Sequence, residues 1–176
     1  NIAGLFLVLY SGATALLLPE DIRGLSGSKG LDLQGLASSL AMLKPQSLIL
    51  TPQLLKALLY LKQQGQELDF LKFIAVGGGK VPSELLTSAQ KYALPVYEGY
   101  GLSECGSVVS LNSPNQEKQG SVGKPLAHCK LSIGSSGELS VVGASMLGYL
   151  GDVNEQPGII ATGDIGHIDN DGFLYI

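Results

Sequence analysis

From Ser47 to Tyr97, short apolar runs alternate with helical stripes roughly every twenty to thirty residues, and that rhythm restricts the fold more than any other feature. The runs at 47–51, 71–76 and 95–97 are too short for buried helices and read as buried strands. After the first, Pro52 stands where a helix tolerates proline, and Leu54, Leu55, Leu58, Leu59 and Leu61 form a stripe reaching about Gln64. A further helix is expected over 82–92. Upstream, the pattern predicts a helix over 2–10, a buried strand over 13–18 and a Gly-, Ser- and charge-rich loop over 20–30. A helix capped by Asp32 then runs through Met42. Strands joined through helices lie parallel, so this part reads as a βαβ layered parallel sheet covered by helices.

Beyond about Gly106 the rhythm changes. Apolar runs at 108–111, 129–133, 138–142, 165–168 and 173–176 are separated by Gly, Ser and Asn-Asp turns, with no helix of more than two turns between them. This part is expected to be antiparallel β, a small distorted barrel. The chain therefore reads as an α/β subdomain over 1–106 and a β-barrel-like subdomain over 107–176.

Composition narrows the partners. The net charge is -4, with no basic run, which argues against nucleic acid or anionic membrane. Two cysteines, Cys105 and Cys129, in a chain that is not small and disulfide-dense point to a reducing, cytoplasmic compartment. Residues 1–18 carry no charge, yet Ser11-Gly12 breaks the run and Pro19-Glu20 ends it, so a membrane span is not expected. No basic region precedes it, as a signal peptide requires. Hydrophobic residues make up 45% of the chain and charged residues only 15%, below the roughly 25% of an average soluble domain. Such a chain is expected to cover apolar faces against further parts of its own polypeptide or against a second copy.

One stretch gathers chemistry. At 97–106 the chain reads Tyr-Glu-Gly-Tyr-Gly-Leu-Ser-Glu-Cys-Gly, expected to be a turn following an apolar run. Tyr100 offers a flat face, Ser103 a hydroxyl suited to a phosphate oxygen, and Glu104 hard oxygen ligands for magnesium. Gly99 and Gly101 permit positive φ and close approach to a ligand. A strand and tight turn with Tyr100 in the core would use the same residues. Gly77-Gly78-Gly79-Lys80 follows a strand, but Ile74 and Val81 stand where a Walker loop needs Gly and Ser or Thr. Gly101-Leu-Ser103-Glu-Cys105 approaches a nucleophile elbow whose second glycine, Gly106, comes one residue late; His128 or His167 would be its base and Asp164 its acid. Asp169-Asn-Asp171-Gly172 suits a hairpin turn better than a calcium loop, since His167 would be the first ligand. Asp164 in Thr162-Gly163-Asp164 is a carboxylate without a packing purpose, able to accept from two vicinal hydroxyls.

These segments resemble, in order, the motifs of adenylate-forming (AMP-binding) enzymes: acyl-CoA synthetases, luciferases and the adenylation domains of peptide synthetases. Gly77-Gly78-Gly79 with Val81-Pro82, Tyr100-Gly101-Leu102-Ser103-Glu104, Gly120-Ser-Val-Gly-Lys-Pro125, Gly137-Glu138-Leu139, Gly148-Tyr149, Thr162-Gly163-Asp164 and Asp171-Gly-Phe-Leu-Tyr175 carry the likeness. Ser103 stands where the family usually has Thr, and keeps the hydroxyl. The resemblance implies an acid-activating ligase that joins a carboxylate to the α-phosphate of ATP and then forms a CoA thioester. It implies that Ser103 contacts phosphate, Glu104 holds Mg2+, Tyr100 stacks on adenine and Asp164 holds the ribose. It implies that Gly77, Gly78, Gly79 and Gly101 border the nucleotide, and that Val76, Leu102 and Val108 line the acyl pocket with Gly77, Gly78 and Gly101. It further implies a phosphate loop upstream and a small domain with a catalytic Lys downstream, so that this chain is a fragment of the large N-terminal domain and does not catalyse adenylation alone. A non-catalytic nucleotide- or acyl-binding module of the same fold, and a serine hydrolase, are the other readings.

Overall fold

The computed structural model describes residues 2–20, 22–24, 30–143, 145, 146, 148, 149, 151 and 158–176, leaving aside the side chains of residues 2 and 3. It forms two compact units, Ala3–Val96 and Tyr97–Ile176, and the chain passes from one to the other inside a strand, ahead of the change in sequence rhythm at Gly106.

In the first unit a π-helical turn, Ile2–Phe6, continues into α1, Leu7–Tyr10. Residues 13–19 belong to no helix or strand, although a strand is expected over 13–18. An apolar run becomes a strand only when another strand takes its backbone groups, and none among the described residues does. The loop expected over 20–30 falls largely outside the described residues. Helix α2, Leu33–Leu43, begins where Asp32 accepts the Gln34 N–H at 3.0 Å and ends at Lys44, which takes left-handed backbone before Pro45. Strand β1, Ser47–Leu50, and β2, Phe73–Val76, pair in parallel, Ser47 opposite Phe73 and Leu50 opposite Val76. Between them α3, Pro52–Gln63, is capped by Thr51, whose hydroxyl accepts from Leu54 N–H at 3.4 Å. Helix α4, Ser83–Lys91, follows β2.

The predicted leucine stripe is the core of this unit. Leu55, Leu58, Leu59 and Leu61 of α3 pack with Ile74 and Val76 of β2 and with Leu68, Leu71 and Leu94. Each fully buried side chain of this kind contributes about 1.5–3 kcal/mol. Outside that core Phe6, Leu7, Leu9, Tyr10, Leu17, Met42 and Ile49 stand exposed. No helix among the described residues is long and apolar enough to cross a membrane.

Strand β3, Val96–Tyr100, leads into the second unit, where it pairs antiparallel with β4, Ser110–Leu111, which pairs with β5, Lys124–Pro125. Strands β6, Cys129–Ile133, β7, Glu138–Gly143, and β8, Ile159–Ile165, form an antiparallel sheet in that order. A hairpin of β9, His167–Ile168, and β10, Leu174–Tyr175, follows. The run expected as one strand over 165–168 divides at Gly166, where a Cβ would lie 2.5 Å from the Tyr175 carbonyl oxygen. These sheets are antiparallel as expected, but they do not close into a barrel. The ladders are too short: β4, β5, β9 and β10 have two residues each.

Candidate functional site

Strand β3 carries the chain into the 97–106 stretch and runs to Tyr100, farther than the apolar run alone suggests. Gly99 and Gly101 do not take positive φ as expected; the left-handed residues are Gly106 and Ser107. The two glycines admit the chain itself. A Cβ on Gly99 would meet Leu111 Cδ1 at 2.8 Å and the Ser110 carbonyl at 3.0 Å, and one on Gly101 would meet the Ser107 carbonyl oxygen at 1.7 Å. Only glycine there lets the chain fold back after Leu102. The turn is 3-10 helical over Ser103–Cys105 and is closed by Cys105 N–H and Ser107 N–H, each donating to the Leu102 carbonyl at 3.1 Å. It leaves Ser103 exposed and Glu104 half-buried, while Cys105 is buried with Val109, Cys129, Val141 and Ile160. Burial pushes the Cys105 thiol up, away from the thiolate that a nucleophile needs.

Asp164 reaches the same site through an irregularity in β8. Glu138 pairs with Ile165 and Ser140 with Ala161, so residues 162–164 are surplus to the ladder opposite Leu139. Gly163 takes φ +75, and the Thr162 hydroxyl occupies the gap, donating to the Leu139 carbonyl at 2.9 Å and accepting the Asp164 N–H at 3.1 Å. The bulge thereby pairs the Leu139 carbonyl and the Asp164 N–H, and the Asp164 carboxylate meets Tyr100, whose hydroxyl donates to Oδ2 at 2.6 Å. Burial first, and then this bond, push the Tyr100 phenol up to about 12, so it stays a donor throughout the physiological range. Thr162 and Gly163 stand out in the sequence only as part of the motif around Asp164; their part in the bulge follows from the strand pairing.

A clasp behind the site was also missed. Buried Asn112 donates from Nδ2 to the carbonyls of Glu98, 3.1 Å, and Ser121, 2.7 Å, and its Oδ1 accepts from the Lys118 N–H, 3.0 Å, and the Ser121 hydroxyl, 3.3 Å. Gly123 N–H donates to Ser121 Oγ at 3.2 Å, and its carbonyl accepts from Leu174 N–H at 2.9 Å. The Gly120–Pro125 motif therefore fastens β3 and β4 to the terminal hairpin. Lys118 adds bonds to Asp169 at 2.6 Å and Asp171 at 2.8 Å, holding the Asp169 carboxyl down at about 2.

Glu104 is the donor expected for a cation. Its Oε1 accepts the Tyr149 hydroxyl at 2.6 Å, a bond that lowers the Glu104 carboxyl and raises the Tyr149 phenol. Among the described residues no group of three or more His, Cys, Asp or Glu converges to hold a metal. A lone accessible carboxylate suits magnesium, which is commonly held by one or two carboxylates while phosphates and waters complete its shell. Leu102 and Val108 are half-buried in the same unit. The hydrolase arrangement does not assemble: Ser103 makes no hydrogen bond to either histidine, His128 is exposed, and His167 stacks on Tyr175 at 4.8 Å. Asp169 accepts N–H groups from Asp171 and Phe173, each at 2.9 Å, as a hairpin turn does. In the first unit Gly77 to Gly79 follow β2; Gly78 takes φ +77 and has nothing within 4 Å of a would-be Cβ, while Val76 is 1% exposed within the core.

The architecture is that of adenylate-forming ligases. The o-succinylbenzoate coenzyme A synthetase of Bacillus subtilis, solved with AMP, superposes with a TM-score of 0.78 at 28% identity, covering 99% of this chain and 37% of that one. The same enzyme solved with ATP and magnesium gives 0.75 at 27%, covering 99% and 44%. Among curated proteins, the 2-succinylbenzoate–CoA ligase of Bacillus subtilis (strain 168) is 35% identical over 125 residues, 61% of this chain and 26% of that protein. That of Bacillus licheniformis is 37% identical over 123 residues, 60% and 26%. The chain thus spans about a quarter of the length of these curated relatives. The model of the AMP-binding enzyme family matches residues 1–151. The chain belongs to that family.

Proposed function

We propose that this chain is part of an AMP-forming acid–thiol ligase, which activates a carboxylic acid as its acyl-adenylate and passes the acyl group to CoA. The observation carrying this reading is the 2.6 Å bond between Tyr100 and Asp164, which joins at one site the two residues expected to grip the nucleoside. The Tyr100 ring stacks on adenine, and Asp164, its second oxygen outside that bond, accepts from the ribose hydroxyls. Ser103, exposed at the head of the 3-10 turn, donates to phosphate. Glu104 holds magnesium, whose contribution is to neutralise charge as the carboxylate and the α-phosphate, two anions, are brought together. Leu102 and Val108, half-buried beside the turn, are assigned to the acyl side, and Val76, sealed in the core of its own unit, is not.

The acid is proposed to be an aryl carboxylate of the 2-succinylbenzoate kind, on the strength of the curated relatives. The natural protein is proposed to contribute an upstream phosphate loop and a downstream catalytic Lys, and to act in the cytoplasm.

The test is Glu104→Gln in the natural protein that carries this chain. The substitution keeps the shape and removes the charge, so kcat for adenylation is expected to fall with acid binding nearly preserved. If the magnesium dependence of the rate is unchanged in the variant, Glu104 is not the ligand and the reading fails.

A further inference from the structure

Two residues beyond β7, Met146 and Tyr149, each bond to one residue of the 3-10 turn. Met146 N–H donates to the Glu104 carbonyl at 2.7 Å, and the Tyr149 hydroxyl donates to the Glu104 Oε1 at 2.6 Å. Met146 also packs against the buried cluster that contains Cys105, the last residue of the turn. The geometry points to Tyr149 as a positioning residue that fixes the Glu104 carboxylate for the cation, an inference that rests on the function proposed above.

The reasoning is steric and stoichiometric. A half-buried glutamate on a short turn still has more than one rotamer open to it, and a cation that binds it must restrict them. A phenol at 2.6 Å stands at the ordinary length of a charge-assisted O–H···O⁻ bond, and it occupies one lone pair of Oε1. The Glu104 backbone N–H also favours the charged carboxylate, and the lone pairs that neither donor takes are left for a hard cation. The donor therefore orients the carboxylate without consuming it. Tyr149 is itself 60% exposed, so its ring is not needed to fill the core, and its hydroxyl has no other hydrogen-bonding partner among the described residues. A tyrosine that neither packs nor belongs to a ladder, yet meets the one carboxylate of the turn, has its purpose in that contact.

The experiment compares Tyr149→Phe, Glu104→Gln and the double variant in the natural protein. It follows Mn2+ binding by electron paramagnetic resonance with ATP present, ATP affinity without metal, and thermal stability. Tyr149→Phe is expected to weaken Mn2+ binding by about tenfold, the scale of a lost hydrogen bond to a charged group. Metal-free ATP affinity and Tm are expected to stay as in the wild type, and Glu104→Gln with Tyr149→Phe is expected to bind Mn2+ no more weakly than Glu104→Gln alone. Wild-type Mn2+ affinity in Tyr149→Phe, with Glu104→Gln impaired, would overturn the role of Tyr149 and leave the functional reading standing. Tighter binding in Tyr149→Phe would overturn it too, because the phenol would then be a competitor. Full additivity of the two losses would separate Tyr149 from Glu104 and has the same consequence. Unaltered binding in Glu104→Gln removes the functional reading and this inference with it.

Discussion

At the scale of single residues, the molecule depends on small groups that permit a larger one to act. Asp164 is presented only because Thr162 closes the bulge and Gly163 accepts φ +75. Asp164→Ala in the natural protein is expected to weaken ATP binding roughly tenfold or more, since each charge-assisted bond is worth about 1.5–3 kcal/mol, while carboxylate binding changes little. Calorimetric titration with each ligand checks this, and an unchanged ATP affinity would remove Asp164 from the nucleotide site. At this scale the sequence displays residue types and not their contacts. Tyr100, Ser103 and Glu104 stand out as an aromatic, a hydroxyl and a carboxylate in one short stretch, and Asp164 as a carboxylate with nothing to pack against. What was not legible is contact across sequence distance: Tyr100 with Asp164, Glu104 with Tyr149, and Asn112 with Glu98 and Ser121. Neutral-looking residues such as Asn112 acquire meaning only once strands have paired.

At the scale of elements, the turn after β3 is built on a backbone approach that no side chain survives. A Gly101→Ala change puts a Cβ 1.7 Å from the Ser107 carbonyl oxygen, and backbone must move to relieve it. The expected cost is about 1–3 kcal/mol, with a lower Tm and weaker ATP binding appearing together. Asn112→Ala is expected to cost about 1–3 kcal/mol for each buried partner left unsatisfied, read as a lower urea midpoint. The Lys118–Asp169 pair gives a pH signature. The Asp169 carboxyl is depressed from 3.8 to about 2, chiefly by its bond to Lys118, so its contribution is present above the ordinary value and is lost as pH falls toward 2. Unfolding midpoints of the wild type and Asp169→Asn should therefore converge between about pH 4 and pH 2. Helices were the more readable elements, because caps and stripes are local: Asp32, Pro52 at a first turn, and the leucines of α3, although Thr51 reads as strand and is the α3 cap. Strands were less so. Residues 13–18 have the composition of a strand without a partner among the described residues, and Gly99 looks like a breaker yet lies within β3. Whether an apolar run joins a ladder is decided by its neighbours.

At the scale of the whole chain, the change from helix-bearing periodicity to short turn-linked runs announced an α/β part followed by an antiparallel part, and both are present. Barrel closure was not legible, because it depends on how far each ladder extends. The charge-poor composition has its counterpart in Phe6, Leu7, Leu9, Tyr10 and Leu17, all exposed on a chain that spans about a quarter of its curated relatives. Acid activation can be tested without knowing the thiol acceptor. The most direct measurement is the exchange of labelled pyrophosphate into ATP by the natural protein carrying this chain, with magnesium, across a panel of carboxylates that includes 2-succinylbenzoate. Exchange is expected to require both a carboxylate and magnesium and to fall sharply in Asp164→Ala and Glu104→Gln. Nucleotide binding without exchange for any carboxylate would contradict it and leave a binding module in place of a ligase.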